Sequence, residues 1–143
     1  MKSEERKIID DRFNVTDINP SGKYFKNVSR VHMSSRYGIT MELDINTAIF
    51  PVEKGDSFLG IITRKTGEKN VYQPEDLAKP SEKDDYDYVC YGTVFEIKEE
   101  KEGVAVYASF GGLLMRLCAD EGIVAGFRRD ANESRIYLML KKA

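Results

Sequence analysis

Apolar and polar residues alternate with a period of two along most of this chain, the spacing of strands with one buried face. The cleanest run covers residues 39–49. Ile39, Met41, Leu43, Ile45, Thr47 and Ile49 fall on one parity, and Thr40, Glu42, Asp44 and Asn46 on the other. Such a run exceeds the usual strand length, so a bend or break is expected near Asn46, and Pro51 ends it. Phe13, Val15 and Ile18 predict an earlier strand, stopped by the turn cluster Asn19-Pro20-Ser21-Gly22. Residues 24–33 restart a strand pattern with imperfect alternation, placing Phe25, Val28 and Val31 among basic and hydroxyl residues. Phe58-Leu59-Gly60-Ile61-Ile62 is apolar on both faces, as a barrel strand is, and Gly60 marks a bend or a close contact. In residues 86–97, Val89, Tyr91, Thr93, Phe95 and Ile97 share one parity and Tyr88, Cys90 and Val94 the other. Gly92 between them suits a strand curving round a barrel. Near the end, Ile136, Leu138 and Leu140 form one apolar face with Tyr137 and Met139 opposite.

The strongest local signal is residues 104–118, where two runs of β-favouring residues flank Gly111-Gly112. With the glycines as the whole loop, Phe110 opposes Leu113, Ala108 opposes Met115 and Val106 opposes Leu117, all apolar and on one face. The other face sets Ala105, Tyr107 and Ser109 against Cys118, Arg116 and Leu114. A slip of one residue would mix the faces, so turn chemistry and pattern select the same register. The segments amount to seven or eight strands without a long helix. That predicts an all-β fold, and closure into an antiparallel barrel removes the exposed edges.

Other segments lack this pattern. Residues 1–12 set Lys2, Arg6, Lys7 and Arg12 against Glu4, Glu5, Asp10 and Asp11. They read as a charged arm, frayed or briefly helical, ahead of a single β-barrel domain over residues 13–143. Residues 64–85 mix charges irregularly around Pro74 and Pro80, with only Val71, Tyr72 and Leu77 suited to burial. This long loop, expected to be mobile, is either functional or an unconstrained surface insertion; it offers charge but no convergent reactive set. Residues 123–127 are short and ambiguous, and residues 128–134 are polar.

Composition narrows the function classes. A chain of 143 residues with 41% hydrophobic and 10% aromatic content can bury a real core. Its formal charge of -2 gives the average surface no electrostatic reason to bind nucleic acid. No secretion signal is visible and no run reaches membrane-spanning length, so the chain reads as intracellular with no membrane partner. Cys90 and Cys118 read as buried thiols in a reducing compartment, with a disulfide or metal role as the alternative. A metal centre would have to gather His32, Cys90, Cys118 and an acid from distant strands without a chelating pair, so none is expected. Asp84, Asp85 and Asp87 lack calcium-loop spacing. Gly111-Gly112 precedes a strand, without the Lys-Ser/Thr pair of a phosphate loop. No cofactor and no catalytic constellation is implied. Two kinds of module remain. Tyr86, Tyr88, Tyr91 and Tyr107 offer rings for stacking single-stranded bases, but they lie among Glu and Asp. Aromatic and arginine side chains serve equally as anchors of protein interfaces.

The hairpin also carries a family resemblance. Tyr107-Ala108-Ser109-Phe110-Gly111-Gly112-Leu113-Leu114-Met115-Arg116-Leu117, followed by Arg135-Ile136-Tyr137-Leu138-Met139-Leu140-Lys141-Lys142, closely resembles the small subunit common to the three nuclear RNA polymerases, eighth in size order. Phe13-Asn14-Val15-Thr16-Asp17-Ile18-Asn19-Pro20-Ser21-Gly22-Lys23-Tyr24-Phe25 and Val28-Ser29-Arg30-Val31-His32 resemble that family's opening. Leu43-Asp44-Ile45-Asn46, Phe50-Pro51-Val52-Glu53-Lys54-Gly55-Asp56-Ser57-Phe58 and Tyr88-Val89-Cys90-Tyr91-Gly92 resemble its middle blocks. Order and spacing agree from about residue 13 to residue 142. The resemblance implies an eight-stranded antiparallel barrel of the OB-fold type. It implies a non-catalytic assembly subunit without cofactor, docked on the largest subunit of RNA polymerases I, II and III, supporting transcription in the nucleus. Direct nucleic-acid contact is expected to be weak or absent. The alternative is an OB-type single-stranded nucleic-acid-binding module with Tyr88 and Tyr107 as its rings.

A subunit without catalytic groups acts through contacts, and the outward face of the hairpin is the expected partner-binding surface. It sets Tyr107 beside Arg116 and Leu114 toward the turn, while Gly111 and Gly112 leave the tip bare for a partner's backbone. Two arrangements are open. Either Leu114 fills a recess in the largest subunit and Arg116 pairs with a carboxylate or carbonyl there, or Leu114 packs within the chain and Arg116 pairs with a local acid.

Overall fold

Gly111 and Gly112 both take positive φ, 65° and 99°, the geometry of a two-residue turn whose twist matches the strands it joins. In the computed structural model, which describes residues 7–20, 22, 26–64, 86–127 and 135–143, this turn links β6 (Gly103–Phe110) to β7 (Leu113–Ala119). The register is the one the sequence selects, with Phe110 opposite Leu113, Ala108 opposite Met115 and Val106 opposite Leu117. Val106, Ala108, Met115 and Leu117 are at most 1% exposed and Phe110 is buried, while Leu113 packs half-buried against the same core.

The other strands are β1 (Lys7–Ile18), β2 (Val28–Ser35), β3 (Thr40–Asn46), β4 (Ser57–Arg64), β5 (Tyr88–Glu100) and β8 (Arg135–Lys142). All pairings are antiparallel, and the sheet closes into an eight-stranded barrel in the order β1-β2-β3-β7-β6-β5-β8-β4. β3 ends at Asn46, where the sequence places the break. Inward residues of every strand make one core, from Phe13 and Val31 through Leu43 and Ile62 to Leu138. Two glycines let the wall come close. A Cβ at Gly60 would sit 3.0 Å from Phe13 Cδ2, and one at Gly92 would sit 3.0 Å from the Phe110 Cα and overlap the Ser109 carbonyl.

Three boundaries differ from the sequence expectation. The charged arm does not extend to residue 12, because β1 begins at Lys7 and its residues up to Asn14 pair with β4. Residues 7–12 hide this by carrying only Ile8 and Ile9 among charges; Ile9 alone is fully inward, 3% exposed. Arg64 belongs to β4 rather than to the following loop, and the remainder of the expected mobile loop, residues 65–85, lies outside the described residues. In β5 a bulge between Val94 and Glu96 reverses the parity. Tyr88, Cys90 and Val94 pack on the core with Phe95 outward at 59% exposure, and beyond the bulge Ile97 packs on the core as well.

The ambiguous stretch after β7 is a single helical turn, α1 (Glu121–Val124), continued by a 3-10 turn at Ala125–Phe127. Asp120 caps it, its carboxylate accepting the Ile123 N–H at 3.0 Å. Val124 and Phe127 close the core beneath it.

Candidate functional site: the outer face of the β6–β7 hairpin

Tyr107 and Arg116 stand opposite each other on β6 and β7, and Glu42 of β3 stands beside Arg116 on its other flank. Strand pairing alone therefore brings a phenol, a guanidinium and a carboxylate into one row. The long final stretch of β5 adds Glu100, and the turn into β6 adds Glu102. The Arg116 guanidinium donates from Nη1 to Glu42 Oε2 at 3.3 Å, from Nη2 to Glu100 Oε1, and from Nε to the Tyr107 hydroxyl at 3.3 Å. Glu102 Oε1 lies 3.6 Å from Nη2. Tyr107 in turn donates its hydroxyl proton to Glu100 Oε2 at 2.6 Å. The Tyr107 hydroxyl and then Arg116 hold the Glu100 carboxyl below the usual glutamate range. Glu100 pushes the guanidinium further from deprotonation.

Of the two arrangements left open by the sequence, Arg116 follows the local one: its donors are engaged by acids of this chain. Leu114 does not follow it. Its side chain is 43% exposed, while its backbone N–H donates to Asp44 Oδ2 at 3.1 Å. Asp44 is held in place by Arg30, whose Nε and Nη2 donate to its two oxygens at 2.8 and 3.2 Å. The hairpin tip is thus pinned to β2 and β3 while the Leu114 side chain stays open to solvent. Gly112 donates to Ser109 Oγ at 3.2 Å, and a Cβ at either turn glycine would meet nothing within 4 Å. The turn is open to solvent.

Phe95 adds to this surface, a residue that the sequence places on one parity with Ile97 but not in the candidate site. Its ring lies 6.3 Å from that of Tyr107, so Phe95, Tyr107 and Leu114 share the outward side of three adjacent strands. Its outward side follows from the alternation through Val94, and the bulge separates it from Ile97, which turns inward.

Tyr88, offered as a stacking ring in the nucleic-acid alternative, is corrected by the structure. It is 7% exposed, faces the core and stacks on Phe50, because the parity it shares with Cys90 and Val94 is the inward one. Burial pushes its phenol above the usual tyrosine range, with the Cys90 thiol a lesser cause. Tyr107 keeps an outward ring, but Glu42, Glu100 and Glu102 surround its neighbour, a poor setting for phosphate. Cys90 and Cys118 are unbridged thiols, both raised in pKa by burial. Among the described residues no three His, Cys, Asp or Glu side chains converge to hold a metal ion.

Comparison with known proteins adds an independent line. A family model described as RNA polymerase Rpb8 matches residues 10–142. The chain is 40% identical over 141 residues to the DNA-directed RNA polymerases I, II, and III subunit rpabc3 of Dictyostelium discoideum, covering 95% of this chain and 97% of that protein. It is 37% identical over 148 residues to the subunit RPABC3 of the same three polymerases in Saccharomyces cerevisiae, covering 94% and 97%. To the Schizosaccharomyces pombe counterpart it is 34% identical over 140 residues, covering 96% and 98%.

Proposed function

The chain belongs to the RNA polymerase Rpb8 family, and we infer from that membership that it is a non-catalytic subunit shared by RNA polymerases I, II and III. In this reading it works in the nucleus, docked on the largest subunit of each enzyme, and supports transcription through assembly rather than chemistry. The barrel supplies a rigid platform, and the outer face of the β6–β7 hairpin is the docking surface. The observation that carries this surface is Leu114: a large apolar side chain, 43% exposed, on a backbone held by Asp44 beside a turn with no side chains. A rigid apolar anchor next to bare backbone is what a partner's recess can grip at low entropic cost. Tyr107 and Phe95 extend the apolar contact. Arg116 acts as a positioning residue, tying β3, β6 and the end of β5 behind the anchor.

Co-purification with the largest subunit tests the surface. Leu114→Ala is expected to weaken assembly by about 1–2 kcal/mol, and Leu114→Asp to abolish it, with the circular dichroism of the isolated chain unchanged. Undiminished assembly of Leu114→Asp and Arg116→Ala alike would remove this face from the docking site.

A further inference from the structure

Arg64 ends β4 on the same parity as Phe58 and Ile62, the side that faces the core. Such a position normally holds an apolar residue, yet here it holds a permanent charge. Arg64 is only 8% exposed. Its Nε is enclosed without a hydrogen-bond partner, and the ion pairs among the described residues do not include it. The guanidinium cannot offset the cost of its enclosed Nε by losing the proton, whereas a bound anion would offset it.

The space for one is adjacent. Where β7 ends, α1 and its 3-10 continuation cross to the start of β1, and Gly126 allows contact so close that a Cβ there would lie 2.8 Å from Ile8 Cγ2. Beside this contact a cavity of about 580 Å³ is lined by Arg64, Lys7, Ile8, Ile123, Ala125 and Gly126, among others. Lys7 is half-exposed, and its Nζ lies 3.7 Å from Asp10 Oδ2, three residues along β1.

We propose that this cavity binds a carboxylate carried by an acidic peptide segment, with Arg64 as the recessed partner and Lys7 as a second cation on the wall. The planar guanidinium matches a carboxylate with parallel bonds. Ile8, Ile123 and Ala125 supply aliphatic surface for the methylenes of a glutamate. None of the lining residues is aromatic, so the cavity offers no ring on which a nucleic-acid base could stack. The site is distinct from the docking face, since β7 has the Gly111-Gly112 turn at one end and α1 at the other. It stands independently of the polymerase reading.

Titration calorimetry of the full chain with an amidated hexaglutamate peptide tests the site. The unaltered chain binds the peptide; Arg64→Met weakens binding at least tenfold, and Lys7→Gln weakens it by a smaller factor. In thermal melts without peptide, Arg64→Met does not lower the midpoint, because it replaces an unpaired buried charge with an apolar side chain of similar reach. Inorganic phosphate and a single-stranded RNA bind more weakly than the peptide. The proposal is overturned by equal peptide affinity in the unaltered chain and Arg64→Met, or by no peptide binding at all. Tighter binding of phosphate or RNA, or a lowered melting midpoint in Arg64→Met, overturns it as well; the last would mean that the guanidinium is already paired within the chain.

Discussion

Tyr88 lies against Phe50 with ring centroids 4.9 Å apart and planes 21° from parallel, and its hydroxyl accepts the Asn46 N–H at 3.3 Å. The contact joins β5 to the end of β3 inside the barrel, although those strands are not neighbours in the sheet. Tyr88 therefore contributes to the fold twice, by its ring and by its hydroxyl, and neither is available to a ligand.

Tyr88→Phe keeps the stack and removes the acceptor for the Asn46 N–H, so it should cost about 1 kcal/mol in urea denaturation. The pH dependence follows from the raised phenol pKa. Folding favours the neutral form, so the stabilisation is full below the unfolded tyrosine value of about 10 and is lost as pH rises toward the folded value. Stability of the parent chain should fall above that pH, and the fall should be shallower in Tyr88→Phe. Equal slopes would assign the alkaline loss to other groups.

The two close-approach glycines should differ in tolerance. At Gly92 a methyl group collides with backbone, the Ser109 carbonyl and the Phe110 Cα, and backbone in a closed barrel has little room to yield. Gly92→Ala should cost roughly 1–3 kcal/mol or more. At Gly60 the nearest atoms belong to the Phe13 ring and a Leu140 methyl, at 3.0 and 3.4 Å, which can shift slightly. Gly60→Ala should be the milder change, and paired thermal melts would show the order.

Met115 is 1% exposed on the inward face of β7. Met115→Ala should destabilise the chain by roughly 2–5 kcal/mol. Leu114→Ala on the next residue should change stability by less than about 1 kcal/mol, since its side chain faces out. Similar denaturant midpoints for the two would contradict the assigned faces.

Arg116→Ala should lower stability by only about 1 kcal/mol, because the network is partly exposed and screened. Arg116→Lys should not restore it, since an ammonium cannot reach Glu42 and Glu100 with a fixed fork. Glu100 carries the pH signature. Its folded pKa lies below the ordinary 4.5, so its stabilisation is present above that value and disappears as pH falls through the folded one. Acid denaturation curves of Arg116→Ala should show a shallower acid-side loss than the parent.

The hairpin was fully legible because three local signals agreed: the glycine pair, the alternation on each flank and the apolar match across the register. The inward facing of Ile97 was not legible, since a bulge is a property of two strands and leaves no mark on one. The first half of β1 was hidden for a related reason: its pairing with β4 orders a segment whose own residues are mostly charged. At the candidate site, adjacency of Tyr107, Leu114 and Arg116 followed from the hairpin alone. The partners of Arg116 did not, because Glu42 lies 74 residues away and meets it only through the β3–β7 pairing. Arg64, read as the start of a loop, belonged to β4 because Ile136 pairs with it across the closing seam.

That seam has a consequence for how the protein comes into being. β8 is the latest of the eight strands in the chain, yet it sits between β5 and β4 and bonds to both. On a ribosome, every earlier strand emerges before the one that closes the cylinder. Until β8 arrives, the nascent sheet is an open ribbon with β4 and β5 as raw edges, and Phe58, Ile62 and Tyr88 have no lid. Unpaired edges invite pairing with other chains. Biogenesis of this subunit thus has a vulnerable interval that ends only with translation of residues 135–142.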